Sequence, residues 1–227
     1  AATAWANAGW AGRAKAFIVN KNEVRCQSDN FCEMQKGKRG VVLLVGDSHV
    51  GHHMKTLLSK FSGYTVRVFN VSSCYFGSRL ASRDQNVGRG KVCARANENL
   101  RSYIAAHGQE VDYVVHAQRW HGYLERLYYL DDHGELPGDS AKKFAAMIFD
   151  VSNLYAGLSA RKVVIGAAPN TSFGCAERAE ILSMPCRRSS SVQSLNLTRM
   201  FKYEAERIAP AGFQYIHPVD ALCVRNK

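Results

Sequence analysis

The chain has 227 residues, 46% of them hydrophobic and 22% charged, which supplies one sizeable globular core and excludes a disordered or fibrous polymer. With 30 basic against 19 acidic residues the net charge is +11, a balance that favours anionic partners, yet the basic residues are scattered and no zinc-finger spacing, RNP-like strand or basic heptad helix accompanies them, so no nucleic-acid partner is expected. No apolar run of about 18 residues occurs, so nothing reads as a membrane span, and the first residues lack the basic start and apolar centre of a signal peptide.

Residues 1–40 are Ala-rich, then polar, then basic, and read as an amino-terminal extension or linker. From residue 41 strands and helices alternate. VVLLV (41–45) is an unbroken apolar run, as expected of a strand buried on both faces. Val50, Met54, Leu57, Leu58 and Phe61 then follow at helical spacing over 49–61. YTVRVFN (64–70) alternates and is β-branched, a second strand. A long loop holding Cys74 and Cys93 leads to a helix over 92–107 and a third strand, VDYVVHAQ (111–118). Asp139 or Ser140 caps a helix over about 140–159. RKVVIGAAP (161–169) is a fourth strand stopped by Pro169; a loop with Cys175 and Cys186, a helix over 192–208 and a short fifth strand, FQYIHP (213–218), complete the pattern. This alternation predicts an α/β fold: three layers, α/β/α, around a five-stranded parallel flavodoxin-like sheet, in one domain over 41–227.

In such sheets sites form at the carboxyl ends of the strands. GDSH, NVSSCYFG, HAQRW and AAPNTSFG fall there after strands one to four, and this convergence of polar and glycine-rich segments is the main sign of a site. Ser48 stands where the first strand turns into a helix. Its hydroxyl is held at the sheet rim, and its backbone N–H belongs to the first turn, whose dipole favours a developing oxyanion. Asp47 can accept hydrogen bonds from neighbouring loops. The competing explanation is a plain helix start, since Asp and Ser are both ordinary N-caps.

Seven cysteines contain no Cys-x-x-Cys, which weakens zinc-ribbon and thioredoxin-like assignments. Six fall into sequence-local pairs, Cys26–Cys32, Cys74–Cys93 and Cys175–Cys186, each in a loop, as suits disulfides in an oxidising compartment; the sequence leaves the connectivity open. Cys223 is left over, either a free buried thiol or one whose partner lies past Lys227. His49, His52 and His53 share a helix face but no carboxylate joins them at ligand spacing, so neither a metal nor a cofactor is expected. The sequons at Asn70, Asn170 and Asn196 read as chance matches, because glycans at strand ends would block the rim.

VVLLVGDSHVGH (Val41 to His52) resembles block I of the SGNH (GDSL-like) hydrolase superfamily. GDSH with a second His three residues on is more narrowly similar to the periplasmic SGNH domains attached to bacterial membrane acyltransferases that O-acetylate surface polysaccharides. Cys74, Cys93, the Ala117 to Trp120 segment, the Cys pair after strand four and Cys223 agree with that subgroup. The resemblance implies a serine nucleophile at Ser48, whose N–H is one oxyanion donor. A second donor is implied between Ser73 and Gly77, with Gly77 the choice. Where the superfamily carries an Asn after strand three this chain has HAQRW, so Gln118 or Arg119 would take that part, with Trp120 walling a sugar or acyl site and His49 shaping the site. Implied partners are an acyl donor, a polysaccharide acceptor and an N-terminal membrane acyltransferase domain, placing the chain on the extracytoplasmic side, tethered to a membrane.

The superfamily's base and acid form an Asp-x-x-His block after the last strand. None of the eight histidines here follows an acidic residue by three positions, and His217-Pro-Val-Asp220 has the reverse order. With Cys223 unpaired, a C-terminally truncated chain is the expectation. His116 and His121, flanking the third rim segment, are the other imidazoles within sequence reach of the rim. The expected activity is serine-dependent O-acyl transfer to polysaccharide. The alternatives are a carbohydrate esterase, a non-catalytic carbohydrate-binding module of the same fold, and a polyanion binder resting on the charge.

Overall fold

The computed structural model describes residues 25–28, 31–82, 87–124, 126–129, 134–166 and 202–216. Nine strands fall within them: β1 (Arg25–Ser28), β2 (Phe31–Gln35), β3 (Val41–Gly46), β4 (Thr65–Asn70), β5 (Leu80–Ser82), β6 (Val111–Ala117), β7 (Leu127–Tyr129), β8 (Arg161–Ile165) and β9 (Gln214–Ile216). The helices are α1 (Ser48–Lys60), α2 (Val87–His107), α3 (Trp120–Tyr123), α4 (Ser140–Leu154) and a helical segment over 202–208, here α5.

The main sheet runs β1-β2-β4-β3-β6-β8-β9. Its five strands from β4 to β9 pair in parallel throughout. These are the strands anticipated from the sequence, in the order second, first, third, fourth, fifth, which is the flavodoxin-like winding. The direction of winding reverses between β3 and β6, and in such sheets the carboxyl ends at that reversal are where sites form.

Alternation along β3 explains the three layers. Val42 and Leu44 pack with Val50 and Met54 of α1 on one face, all fully buried. Leu43 and Val45 face the other way, into a cluster containing Ala96 and Leu100 of α2, Phe144, Met147 and Val151 of α4, and Ile208 of α5. A strand buried on both faces needs no polar side, which is why VVLLV reads as a continuous apolar run.

The sheet extends beyond the parallel core. β1 and β2 form an antiparallel hairpin that docks on the outer edge of β4. β1 and β2, over 25–28 and 31–35, lie before the boundary drawn at residue 40 and belong to the main sheet, with Phe31, Cys32 and Met34 buried. Phe31 stacks on Phe69 of β4 with ring centroids 4.3 Å apart. Two strands of four and five residues offer too short an apolar pattern to be separated from a linker by sequence alone. Cys32 is disulfide-bonded, and Cys26 is its direct partner in the β1–β2 register. A second antiparallel pair, β5 with β7, ties the segment after β4 to the segment after α3. Pro169, the Cys175/Cys186 loop and Cys223 lie outside the described residues, as do the sequons at Asn170 and Asn196.

Candidate active site

Ser48 is the first residue of α1, at the carboxyl end of β3, and is partly exposed. The N-cap is Asp47, whose side chain accepts from the His49 N–H at 2.9 Å. Gly46 is required by the turn into the helix. It has φ 150°, a region L side chains rarely adopt, and a Cβ there would overlap the Ala117 carbonyl of the adjacent strand.

Asp47 is only 2% exposed, yet every oxygen it offers is engaged. Oδ1 caps α1, while Oδ2 accepts from the Arg119 N–H at 2.9 Å and from the Tyr123 hydroxyl at 2.6 Å. Its backbone carbonyl accepts from the buried side-chain amide of Asn70 at the end of β4. One carboxylate thus joins the ends of β3 and β6 with α3, across the switch point, and the carbonyl adds β4. Burial, then the charge of Asp47, raises the Tyr123 hydroxyl's pKa far above its ordinary value, so it stays a donor. Tyr123→Phe removes a hydrogen bond to a charged group, and an expected stability loss of about 1.5–3 kcal/mol is measurable by urea unfolding.

Asn70 is 4% exposed and committed to Asp47, so its sequon is inaccessible in the fold.

The loop after β4 is clamped from three sides. Cys74 is bonded to Cys93 of α2. Asn97 of α2 accepts from the Gly77 N–H at 3.0 Å and donates to the Tyr75 carbonyl at 2.8 Å. Asp150, an acidic residue in the apolar stripe of α4, accepts from the Tyr75 hydroxyl, the Ser78 N–H and hydroxyl, and the N–H groups of Arg79 and Leu80. Gly77 is needed here for space, since a Cβ would overlap Asp150 Oδ2.

Three of the expected site residues make contacts inside the protein. The N–H of Gly77, chosen as an oxyanion donor, is spent on Asn97 inside the protein. Gln118 is fully buried, its Oε1 accepting from the Phe76 N–H at 3.2 Å, so it supports the loop from beneath. Trp120 is fully buried as well, donates from Nε1 to the Ile165 carbonyl at 3.2 Å, and meets Phe144 edge-on. It is a core wall between β6 and β8, with no ring face open to a sugar. The exposed residue of that segment is Arg119, whose N–H is fixed by Asp47. Ser73, exposed and at φ 62°, holds the left-handed conformation in the same loop.

His49 is buried beside Ser48, and its ring lies 5.4 Å from that of His52. Burial lowers its pKa, opposed by Asp47 and Glu204 and reinforced by His52 and Arg119. His53 is pushed down to about 4 by burial and by its two histidine neighbours. Among the described residues no cluster of three or more His, Cys, Asp or Glu is arranged to hold a metal ion.

His116, on β6 beneath the rim, is fully buried, with Nδ1 at 2.9 Å from the Tyr155 hydroxyl. Burial lowers its pKa to about 4, against smaller opposite effects of Gln118 and Asp47. The folded state therefore holds a neutral imidazole where the unfolded chain, titrating near 6.5, takes up a proton. Its contribution is complete above about pH 6.5 and is lost as pH falls toward 4, on the order of 3 kcal/mol in all. Urea midpoints measured at neutral pH and near pH 4.5 should fall accordingly, and His116→Gln should flatten that part of the decline.

His121, within sequence reach of the rim, meets a residue that no motif marked, Glu204. Glu204 of α5 is fully buried, accepting from the Tyr215 hydroxyl of β9 at 2.7 Å. His121 of α3 brings Nε2 to 2.8 Å from Glu204 Oε1 and stacks on Phe144. As with Asp150, the available signal was an acid on an apolar helical stripe, here with Ile208 four residues on.

Over residues 19–227 the chain matches the family model described as SGNH domain (fused to AT3 domains), a span that takes in the β1–β2 hairpin. No curated protein matches the chain.

Proposed function

Because the chain belongs to the family of SGNH domains fused to AT3 domains, we propose that it transfers O-acyl groups through an acyl intermediate on Ser48. The observation that carries this assignment is the placement of a partly exposed serine at the first position of α1, at the switch point, with its capping work done by Asp47. Among the described residues neither the N–H nor the hydroxyl of Ser48 has a hydrogen-bond partner, so both are available to a ligand.

Attack of Ser48 Oγ on an acyl carbon builds negative charge on the carbonyl oxygen. The Ser48 N–H and the positive end of the α1 dipole oppose that charge. Exposed Arg119, anchored through its own N–H, adds a cation at the same rim. Loop 73–78, clamped by the disulfide, Asn97 and Asp150, follows β4, the neighbour of β3 on the side away from β6. Acyl-Ser48 then passes its acyl group to a sugar hydroxyl or to water, and the acceptor decides between transferase and esterase. The family's fusion to AT3 domains favours transfer, with a membrane-embedded partner domain presenting the acyl group and a polysaccharide on the extracytoplasmic side accepting it. Among the described residues no helix of this chain is itself long and apolar enough to cross a membrane.

The test is covalent. Incubation with p-nitrophenyl acetate followed by peptide mass spectrometry should place an acetyl group on Ser48, and added polysaccharide should draw it off faster than buffer does. An unmodified Ser48 under turnover conditions would falsify the assignment.

A further inference from the structure

The end of the sheet opposite Ser48 carries a second concentration of polar groups. β3, β4, β6 and β8 begin there, at Val41, Thr65, Val111 and Arg161, about 20 Å from the Ser48 rim for a strand of six residues. A groove of about 340 Å³ lies at this edge, lined by polar groups of Tyr64, Gln109, Asp112, Tyr113, Ser159 and Arg161. That volume is within the range of ligand sites.

The strand register builds one side of the groove. Tyr113 pairs with Arg161 between β6 and β8, and the guanidinium lies 5.8 Å from the centroid of the Tyr113 ring. Tyr64 meets Tyr113 edge-on at 5.7 Å, and Arg39 lies over the Tyr64 ring at 4.9 Å. Two tyrosines thus hold two exposed guanidinium groups in a row across the edge. Lys36 and Lys38 stand on the same β2–β3 connection as Arg39, tied to this edge where the Gly37 N–H bonds Thr65 Oγ1 and the Arg39 N–H bonds the Gly63 carbonyl. Lys162 follows Arg161 on β8. Among the described residues none of these five cations forms an ion pair. The nearby carboxylates are committed elsewhere. Asp112 Oδ2 accepts from the Val41 N–H at 2.8 Å, and Glu110 faces His107 at 2.9 Å and Arg67 at 3.8 Å.

A row of unpaired cations alone would be a solvated face. The groove beside them adds shape, and its lining mixes acceptors and donors, as a polyhydroxylated ring requires. We propose that this groove binds a carboxylate-bearing sugar residue of an acidic polysaccharide, at the end of the sheet away from Ser48. The inference stands apart from the role of Ser48. Arg161 presents paired N–H donors to the sugar carboxylate. Asp112 accepts from a ring hydroxyl, and Gln109 and Ser159 donate to or accept from others. Arg39, Lys36 and Lys38 carry the positive charge on toward the next sugar of the polymer. Lipid headgroups in a flat surface would meet the flanking cations without filling the groove.

The experiment is calorimetric titration of the 227-residue chain with trigalacturonate, with neutral maltotriose as the comparison. Trigalacturonate should bind more weakly as salt rises, and maltotriose should bind roughly tenfold more weakly or worse. Arg39→Gln combined with Arg161→Gln should raise the trigalacturonate Kd roughly tenfold or more, and Gln109→Ala, which removes no charge, should raise it by a smaller factor. These side chains are exposed, so the variants should unfold at the wild-type urea midpoint. Lys91→Gln removes an exposed cation from α2 and should leave the Kd within about twofold. A Kd that survives the double arginine variant within about twofold, or that rises as much in Lys91→Gln, reduces the binding to net charge and overturns the groove. Equal binding of maltotriose overturns the selection for a carboxylate. Binding to vesicles of phosphatidylglycerol with none to trigalacturonate makes this edge a membrane contact and overturns the saccharide assignment. Ser48→Ala removes no group at this edge, so affinity should persist in that variant, and failure of the nucleophile assignment is read separately from failure of the groove.

Discussion

Replacing Ser48 with alanine is expected to lower ester turnover by roughly 10⁴-fold or more while leaving the fold intact. The loss is large because the deleted oxygen is the atom that forms the covalent bond. No neighbour supplies a substitute: Asp47 is enclosed and fully hydrogen-bonded, and His49 is buried. Stability should barely change, for a reason the structure makes specific. Ser48 is the first helical residue and Asp47 is the N-cap. Had Ser48 been the cap, alanine would cost about 0.5–2 kcal/mol; at the position after the cap the change should stay within about 0.5 kcal/mol. Parallel measurement of p-nitrophenyl acetate turnover and the urea midpoint separates the outcomes. A large stability loss with proportionate activity loss would mark Ser48 as a structural residue.

The largest stability effect should come from Asp150→Ala. Asp150 is 4% exposed and accepts five hydrogen bonds, between 2.6 and 3.3 Å, from residues 75–80. Alanine removes the acceptor that the N–H groups of Ser78, Arg79 and Leu80 share, and leaves the Tyr75 hydroxyl its longer contact to the Met147 carbonyl at 3.2 Å. A loss of about 4–5 kcal/mol is expected, since bonds to a charged group contribute about 1.5–3 kcal/mol each and do not add fully. Asp150→Asn keeps the shape and part of the acceptor capacity, so it should lose less. Turnover should fall as well, because the same loop follows β4, the neighbour of β3, whose carboxyl end carries Ser48. Urea unfolding reads the first effect. Initial rates on folded protein read the second, and an Asp150→Ala variant as stable as wild type would show that the loop holds itself.

Much of this was legible beforehand because it is local. VVLLV is buried on both faces, so every residue must be apolar, and the strand declares itself in five letters. Gly46-Asp47-Ser48 is a chain reversal whose constraints act within a few bonds: a left-handed glycine, a capping acid, a helix start. The β1–β2 hairpin was not legible, because its short strands are stable only against β4, more than thirty residues away in sequence. Gly77, Gln118 and Trp120 had the residue types of a site but not the freedom of one. The Gly77 N–H, Gln118 Oε1 and Trp120 Nε1 meet Asn97, Phe76 and Ile165, between 20 and 45 residues distant along the chain.

What the amino-acid sequence determined by itself is the winding of strands and helices and the delivery of Ser48 to a sheet rim, because hydrophobic period and turn chemistry act over neighbouring residues. Only the tertiary structure decided which polar groups at that rim are free and which are spent. Asp47 found its donors in Arg119 and Tyr123, Gly77 lost its N–H to a helix, and His121 met Glu204 across 83 residues, since hydrogen-bond partners in a close-packed interior are chosen by proximity in space.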